Sequence, residues 1–135
     1  MKEEKFNYLL FSKFTSDEDK INYLNNVDID VMIVVNGNYD YLLNYVLRTC
    51  SENVIRYLIN LYDIQNLNFE ITDLDCNTPL HIICETCSDE LIKYMFEMYE
   101  RKNLNLEIAN KNGDTLLHII SQRCTYGLIK FMLDI

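Results

Sequence analysis

The amino-acid sequence predicts an all-α solenoid, about four helix pairs stacked one on the next and joined by short projecting turns. Three observations predict it. Thr78-Pro79-Leu80-His81-Ile82-Ile83 returns 37 residues later as Thr115-Leu116-Leu117-His118-Ile119-Ile120. The same step carries Asn66-Leu67-Asn68-Phe69-Glu70-Ile71 to Asn103-Leu104-Asn105-Leu106-Glu107-Ile108, and Cys50 to Cys87 to Cys124. Apolar residues at helical spacing fill the stretches between. A fixed period of this size marks units that bury their apolar faces only by stacking on their neighbours.

Residues 1–40 read as a degenerate terminal copy. Phe6, Tyr8, Leu9, Leu10 and Phe14 can line a first helix, and Ile21-Asn22-Tyr23-Leu24 echoes Ile55-Arg56-Tyr57-Leu58 in a second. Thr15-Ser16-Asp17-Glu18 supplies a cap and an acidic first turn between them. A terminal unit of atypical, charged sequence closes the end of a stack.

Three further units follow, residues 41–77, 78–114 and 115–135. In the middle one Thr78 is an N-cap, and Pro79 suits the first helical position, where a missing N–H costs nothing. Leu80, Ile83 and Cys84 lie on one face of this first helix. Cys87 ends it, and Ser88 caps a second helix whose Asp89 and Glu90 favour its positive N-terminal end. Leu91, Ile92, Met95, Phe96 and Tyr99 form the buried stripe of that second helix. Val54, Ile55, Leu58, Ile59 and Tyr62 repeat the stripe upstream, and Leu128, Ile129, Met132 and Leu133 repeat it downstream. Ile135 aligns with Met98, so the last unit breaks off inside its second helix, as in a fragment of a longer protein.

Asp73-Leu74-Asp75-Cys76-Asn77 and Asn110-Lys111-Asn112-Gly113-Asp114 are Asx-rich turns. Gly113 takes positive φ freely, whereas Cys76 does so only under strain, which predicts that the second turn is the tighter.

Composition sets the outer limits. The chain has 135 residues, 49% of them hydrophobic, with 3 Gly and 1 Pro, enough for a packed core and no visible linker. The aliphatic run Val31-Met32-Ile33-Val34-Val35 is far shorter than the roughly 20 residues of a membrane helix. Met1-Lys2-Glu3-Glu4-Lys5 lacks a secretory core, so an intracellular, cytoplasmic location is expected, with no membrane partner. A net charge of −9 argues against nucleic acid, which is bound through Lys and Arg. Of the five cysteines, Cys50, Cys87 and Cys124 hold equivalent places in successive rungs, too far apart to bridge, since packed helices lie about 8–10 Å apart and disulfides need Cα atoms within about 7 Å; reduced thiols are expected.

Thr-Pro-Leu-His at a helix start, after a polar loop and before a helix-turn-helix, resembles the ankyrin repeat over about residues 41–135. The resemblance implies that Thr78 with His81, and Thr115 with His118, tie each helix start to nearby backbone. Tyr41-Leu42-Leu43-Asn44 departs from the pattern, and the tie is not carried over to it. The family period is 33; the four extra residues fall near Phe96–Asn103 and Ile59–Asn66, which predicts second helices about one turn longer. Where the family favours Gly, Cys50, Cys87 and Cys124 stand, which predicts backbone strain at the end of the first helices. Ile83-Cys84, Ile120-Ser121 and Val46-Leu47 replace the family's small Ala pair, so the inter-helix packing is bulkier.

The chemistry-bearing residues point away from catalysis. Cys84-Glu85-Thr86-Cys87 has a redox or zinc spacing but no second pair. Each His is accounted for by its repeat, and Asp73/Asp75 and Glu97/Glu100 have no convergent partners. No phosphate loop or nucleophile elbow appears. A non-enzymatic protein-binding module without cofactor, metal or small-molecule substrate is expected.

Resemblance to ankyrin proteins implies contacts along the loop tips, Leu74, Asp75, Asn77, Lys111, Asn112 and Asp114, and along the first-helix face, Arg48, Thr49, Glu85, Thr86, Gln122 and Arg123. Leu74, apolar on a polar tip, is the anchor this reading selects. The Asn-, Ile-, Tyr- and Asp-rich wording, the long units and the scarcity of Ala and Gly resemble ankyrin proteins of large DNA viruses, especially poxviruses. That implies a host-range or immune-evasion factor whose partner is a host signalling protein or ubiquitin-ligase component. A cellular scaffold, as in a protist with A/T-rich coding, and a regulatory fragment of a larger enzyme are the alternatives.

Overall fold

Side-chain oxygens set where most of the helices begin. The computed structural model describes residues 5–29, 41–123 and 126–134, without the side chain of Met132. Eight helices and no strand are found among these residues. They are α1 (Tyr8–Phe11), α2 (Asp17–Asn26), α3 (Leu42–Thr49), α4 (Glu52–Ile64), α5 (Pro79–Thr86), α6 (Asp89–Arg101), α7 (Leu116–Arg123) and α8 (Tyr126–Leu133). Asn7, Ser16, Ser51 and Ser88 each accept a backbone N–H from the first turn of α1, α2, α4 and α6. Such caps contribute about 1 kcal/mol each. Acidic residues follow them in α2, α4 and α6, at the positive helix end. None of the described helices is long and apolar enough to cross a membrane. The Val31–Val35 run, Cys124 and Ile135 lie outside the described residues.

The chain divides into two compact units, residues 1–69 and 70–135. In the first, α2 and α3 both pack on α4. Val54, Ile55, Leu58, Ile59 and Tyr62 are buried as the helical stripe predicts. The N-terminal part differs from expectation. α1 is a four-residue turn of helix, and Leu9 and Leu10 face outward. A helix this short has one inward position, which Phe11 takes. Its ring joins Phe6, Tyr23 and Tyr45 with centroids 5.2–6.4 Å apart, and the Tyr23 hydroxyl accepts the Asn7 N–H at 2.8 Å.

In the second unit, α5 pairs with α6, α7 lies on α5, and α8 contacts α6 and α7. Leu80, Ile83 and Cys84 of α5 are buried, as are Leu91, Ile92, Met95, Phe96 and Tyr99 of α6. In α8 Leu128 is buried, but Leu133 is 73% exposed, contrary to expectation. The main packing of α8 is on α6 and α7, and Leu133 lies off the face they cover.

Helix ends explain the remaining departures. α4 and α6 have 13 residues each, against eight in α3, α5 and α7. Both stop in the same way: Asn66 and Asn103 turn left-handed, with φ of 54° and 56°. Leu67 N–H then reaches Tyr62 O, and Leu104 N–H reaches Tyr99 O, both at 2.8 Å. These bonds satisfy carbonyls that a bare helix end leaves open, and Asn tolerates the conformation. Cys50 and Cys87 need no such turn. Their φ values of −107° and −105° are ordinary extended backbone, so the strain expected from replacing Gly is absent.

Cys76 is where strain resides. Its φ is 62°, beside 79° at Gly113, and the two Asx turns have the same geometry. Asp73 N–H reaches Asn77 O at 3.0 Å, and Asn110 N–H reaches Asp114 O at 2.9 Å, so neither turn is the tighter. The side-chain oxygens of Asp73 and Asn110 each accept two further backbone N–H groups, which holds Cys76 in a conformation it disfavours. Cys76→Gly should therefore raise stability by about 0.5–1 kcal/mol, the relief of strain exceeding the added chain entropy. Urea unfolding with an unchanged midpoint would contradict this.

Candidate functional site

The two turns that carry the predicted tip residues are fastened to each other. Lys111 N–H donates to Asp75 O at 2.8 Å, and the Asn110 side-chain amide donates to Asn77 Oδ1 at 2.9 Å. Leu74, Asp75, Lys111 and Asn112 are thereby brought to one edge of the second unit, all of them exposed, Leu74 by 69%. Asn77 is half-buried, its amide also donating to Asp73, and it serves the turn itself. Asp114 contributes its backbone carbonyl inward, where His81 Nε2 approaches at 3.1 Å.

The His81 ring is placed by its own helix. Thr78 N–H donates to Nδ1 at 3.1 Å while Thr78 Oγ1 accepts the His81 N–H at 3.2 Å. An imidazole that accepts at Nδ1 carries its proton on Nε2, which makes Nε2 the donor to Asp114 O. Thr115 and His118 repeat the side-chain half of this cap, with Thr115 N–H donating to Nδ1 at 3.0 Å and Thr115 Oγ1 at 3.0 Å from the same nitrogen. In α3 Tyr41 gives no side-chain cap, and Asn44, which aligns with His81, is buried with neither side-chain polar atom partnered among the described residues.

The first-helix residues divide into two groups. Glu85, Gln122 and Arg48 are exposed. Thr49 and Thr86, also exposed, turn their hydroxyls back to Tyr45 O and Ile82 O, both at 2.8 Å. Arg123 is part of the packing. Its guanidinium donates to Cys84 O at 2.8 Å and Cys87 O at 2.6 Å, with Asp89 at 3.9 Å. It thus caps the open carbonyls at the end of α5. The repeat places Thr49 and Thr86 at the equivalent positions, so no periodicity signals this role. The paired Asn66 and Asn103 helix stops did carry a legible signal, Asn at the same place 37 residues apart.

Cys50, Cys76, Cys84 and Cys87 are unbridged. Burial pushes the Cys84 thiol up to about 12, partly offset by Arg123, which leaves it a poor nucleophile. No group of three His, Cys, Asp or Glu side chains that could hold a metal occurs among the described residues. The first unit has an open groove of about 790 Å³ between α2 and α4, lined by Asp17, Glu18, Asp19, Tyr57 and neighbours. Its carboxylates sit on the N-terminal turn of α2, and Asp17 accepts the Ser51 hydroxyl at 2.7 Å.

No family model and no curated protein matches the sequence. Among solved structures, a chain of the complex between a predatory endopeptidase of Bdellovibrio bacteriovorus and an immunity protein is similar to this one. It matches with a TM-score of 0.57 at 17% identity over 87% of this chain. This chain spans 57% of the length of that one. Likeness at such identity is one of fold.

Proposed function

We propose that this chain is an ankyrin-type repeat solenoid that acts, without catalysis, by binding another protein through its turn tips and first-helix face. The observation that carries the reading is the fastened pair of turns. Two loops tied by the Lys111–Asp75 and Asn110–Asn77 bonds present Leu74, Asp75, Lys111 and Asn112 on a frame already ordered before a partner arrives. Preordered loops lose less entropy on binding. The Thr78–His81 and Thr115–His118 caps support the ankyrin assignment, being the ties that family uses. The engagement of both imidazoles in structural bonds, with Cys84 buried, favours binding over chemistry. The similar solved structure is itself a complex between two proteins, which is in keeping with a protein partner.

By its wording the chain is assigned to the poxvirus-like group. Its partner would then be a host signalling protein or ubiquitin-ligase component met in the host cytoplasm. A cellular scaffold would use the same edge on a protein of its own organism.

The test is affinity capture from host-cell lysate with mass spectrometry, comparing the wild type with Leu74→Asp/Lys111→Asp. The double variant should lose the specific protein while its melting temperature stays within about 2 °C, since exposed turn side chains contribute little to stability. Binding energy concentrates in a few anchors, so removing one and inverting one charge should weaken capture at least tenfold. Equal capture by both proteins would move recognition off the tips.

A further inference from the structure

The two Asx turns of the second unit share one geometry and differ in one reactive pair. Asp75-Cys76 stands in the first turn where Asn112-Gly113 stands in the second. In an Asn-Gly pair the main-chain nitrogen of the glycine reaches the preceding side-chain amide carbon most readily, because no Cβ stands beside that nitrogen. Asn112 and Gly113 are both exposed, and the space where a Gly113 side chain would lie is empty to 4 Å. The turn therefore has room for the ring that such an approach closes.

Three asparagines occupy the two turns, and they are engaged differently. The Asn77 amide donates to Asp73, and the Thr78 N–H that follows it donates to His81 in the buried start of α5. The Asn110 amide donates to Asn77 Oδ1, and the Lys111 N–H that follows it is held by Asp75 O. The Asn112 side chain makes no hydrogen bond among the described residues, its backbone N–H being fixed by Asn110 Oδ1 at 3.0 Å. The nitrogen that follows it, Gly113 N, donates to Asn110 O at 2.9 Å, one bond within an exposed turn.

We propose that Asn112 is a site of spontaneous covalent modification, converted through Gly113 to aspartate and isoaspartate. When the turn loosens enough to free the Gly113 N–H, that nitrogen gives its proton to hydroxide and attacks Asn112 Cγ. A bond forms between Cγ and the Gly113 nitrogen, and the Cγ–Nδ2 bond breaks. Nδ2 leaves as ammonia, its third proton drawn from water. The five-membered imide left behind takes up one water. Opening at Cγ gives aspartate, opening at the Asn112 main-chain carbonyl gives isoaspartate, and nothing is oxidised or reduced.

The two products differ in consequence. Aspartate is the residue that the first turn already holds at this place, so the turn keeps its form and gains one negative charge beside Lys111. Isoaspartate routes the main chain through the side-chain carbons and adds a methylene before Gly113. Three bonds span that point: Gly113 N–H to Asn110 O, Asp114 N–H to Asn110 Oδ1, and Asn110 N–H to Asp114 O. The lengthened chain cannot keep all three. Asp114 O also accepts His81 Nε2–H, so the loss extends to the buried start of α5. The inference rests on the chemistry of the turn and is independent of whether its tip binds a partner.

The test is to hold the purified folded chain at mildly alkaline pH for some weeks and map its tryptic peptides by mass spectrometry. Cleavage after Lys111 places Asn110 and Asn112 on separate peptides, and the other Asn-Gly pair, Asn36-Gly37, outside the described residues, falls on a third. The Asn112 peptide should become heavier by the difference between an amide and an acid, while Asn77 and Asn110 stay unchanged. Conversion should be faster in urea, where the Gly113 N–H is released. Gly113→Ala, compared with the wild type in urea so that turn strain plays no part, should slow it several-fold. Asn112→Gln, whose ring would need six members, should all but stop it in the folded chain. Asn112→Asp should melt within about 2 °C of the wild type, and the isoaspartate form, isolated by ion exchange, about 4 °C or more lower. An unmodified Asn112 in the folded chain, a rate indifferent to Gly113→Ala, or an isoaspartate form as stable as Asn112→Asp would each overturn the proposal.

Discussion

His81→Ala should cost about 3 kcal/mol or more, whereas His118→Ala should cost about 1 kcal/mol or less. The imidazole of His81 is buried and joins two groups: it accepts from Thr78 N–H and donates to Asp114 O. Its removal leaves the buried Thr78 N–H and the half-buried Asp114 carbonyl without this partner and opens a cavity beside them. His118 also accepts a threonine N–H at Nδ1 but is exposed, so water replaces what is lost. Urea unfolding of the two variants measures the difference directly. Equal losses at the two positions would mean that the Asp114 bond and the burial contribute nothing.

Alkali should unfold the protein through groups that burial keeps protonated. Cys84 is pushed from 9.0 up to about 12 by desolvation, and desolvation also raises Tyr99 from 10.0. The native state therefore holds these protons more tightly than the unfolded chain. Below about pH 9 both states are protonated, and neither group makes stability depend on pH. Above it the unfolded chain ionises first, and stability falls as pH rises, for Cys84 until its folded value near 12 is passed. Each group adds a slope of at most about 1.4 kcal/mol per pH unit, which caps the share of Cys84 at about 4 kcal/mol. The urea midpoint should be level from pH 7 to 8.5 and fall steeply from pH 9. Cys84→Ala should soften the fall between pH 9 and 10, and Tyr99→Phe should soften it above pH 10. A wild-type midpoint level to pH 11 would contradict the burial of both groups.

Much of the helical architecture was legible because its causes are local. Ser51, Thr78 and Ser88 cap, Pro79 occupies a first turn, and the stripes of α4 and α6 follow helical spacing. What failed to show depends on three dimensions. Cys50 and Cys87 escape strain because the chain leaves α3 and α5 in extended conformation, where Gly has no advantage. Cys76 accepts strain because the Asp73 carboxylate holds the turn around it. Leu133 fits the stripe of a second helix, but an apolar pattern cannot tell whether a neighbour covers it. Of the tip residues, Leu74, Asp75, Lys111 and Asn112 keep their side chains outward as their turns predict. Asn77 is drawn into the turn, and Arg123 into the end of α5. Periodicity could not foresee Arg123, because its bonds reach back 39 and 36 residues to main-chain carbonyls.

The Lys111–Asp75 bond has a further consequence, for time rather than for energy. It is a main-chain bond between two turns, with its donor residue at the surface. Proton exchange of the Lys111 amide with solvent can proceed only when turn 110–114 parts from turn 73–77, so its protection records how often the turns separate. A single resonance in an amide-exchange spectrum thus reports on the breathing between successive repeats, without any label being introduced. A ligand that bridges both turns would slow that one proton before it altered anything visible in the helices.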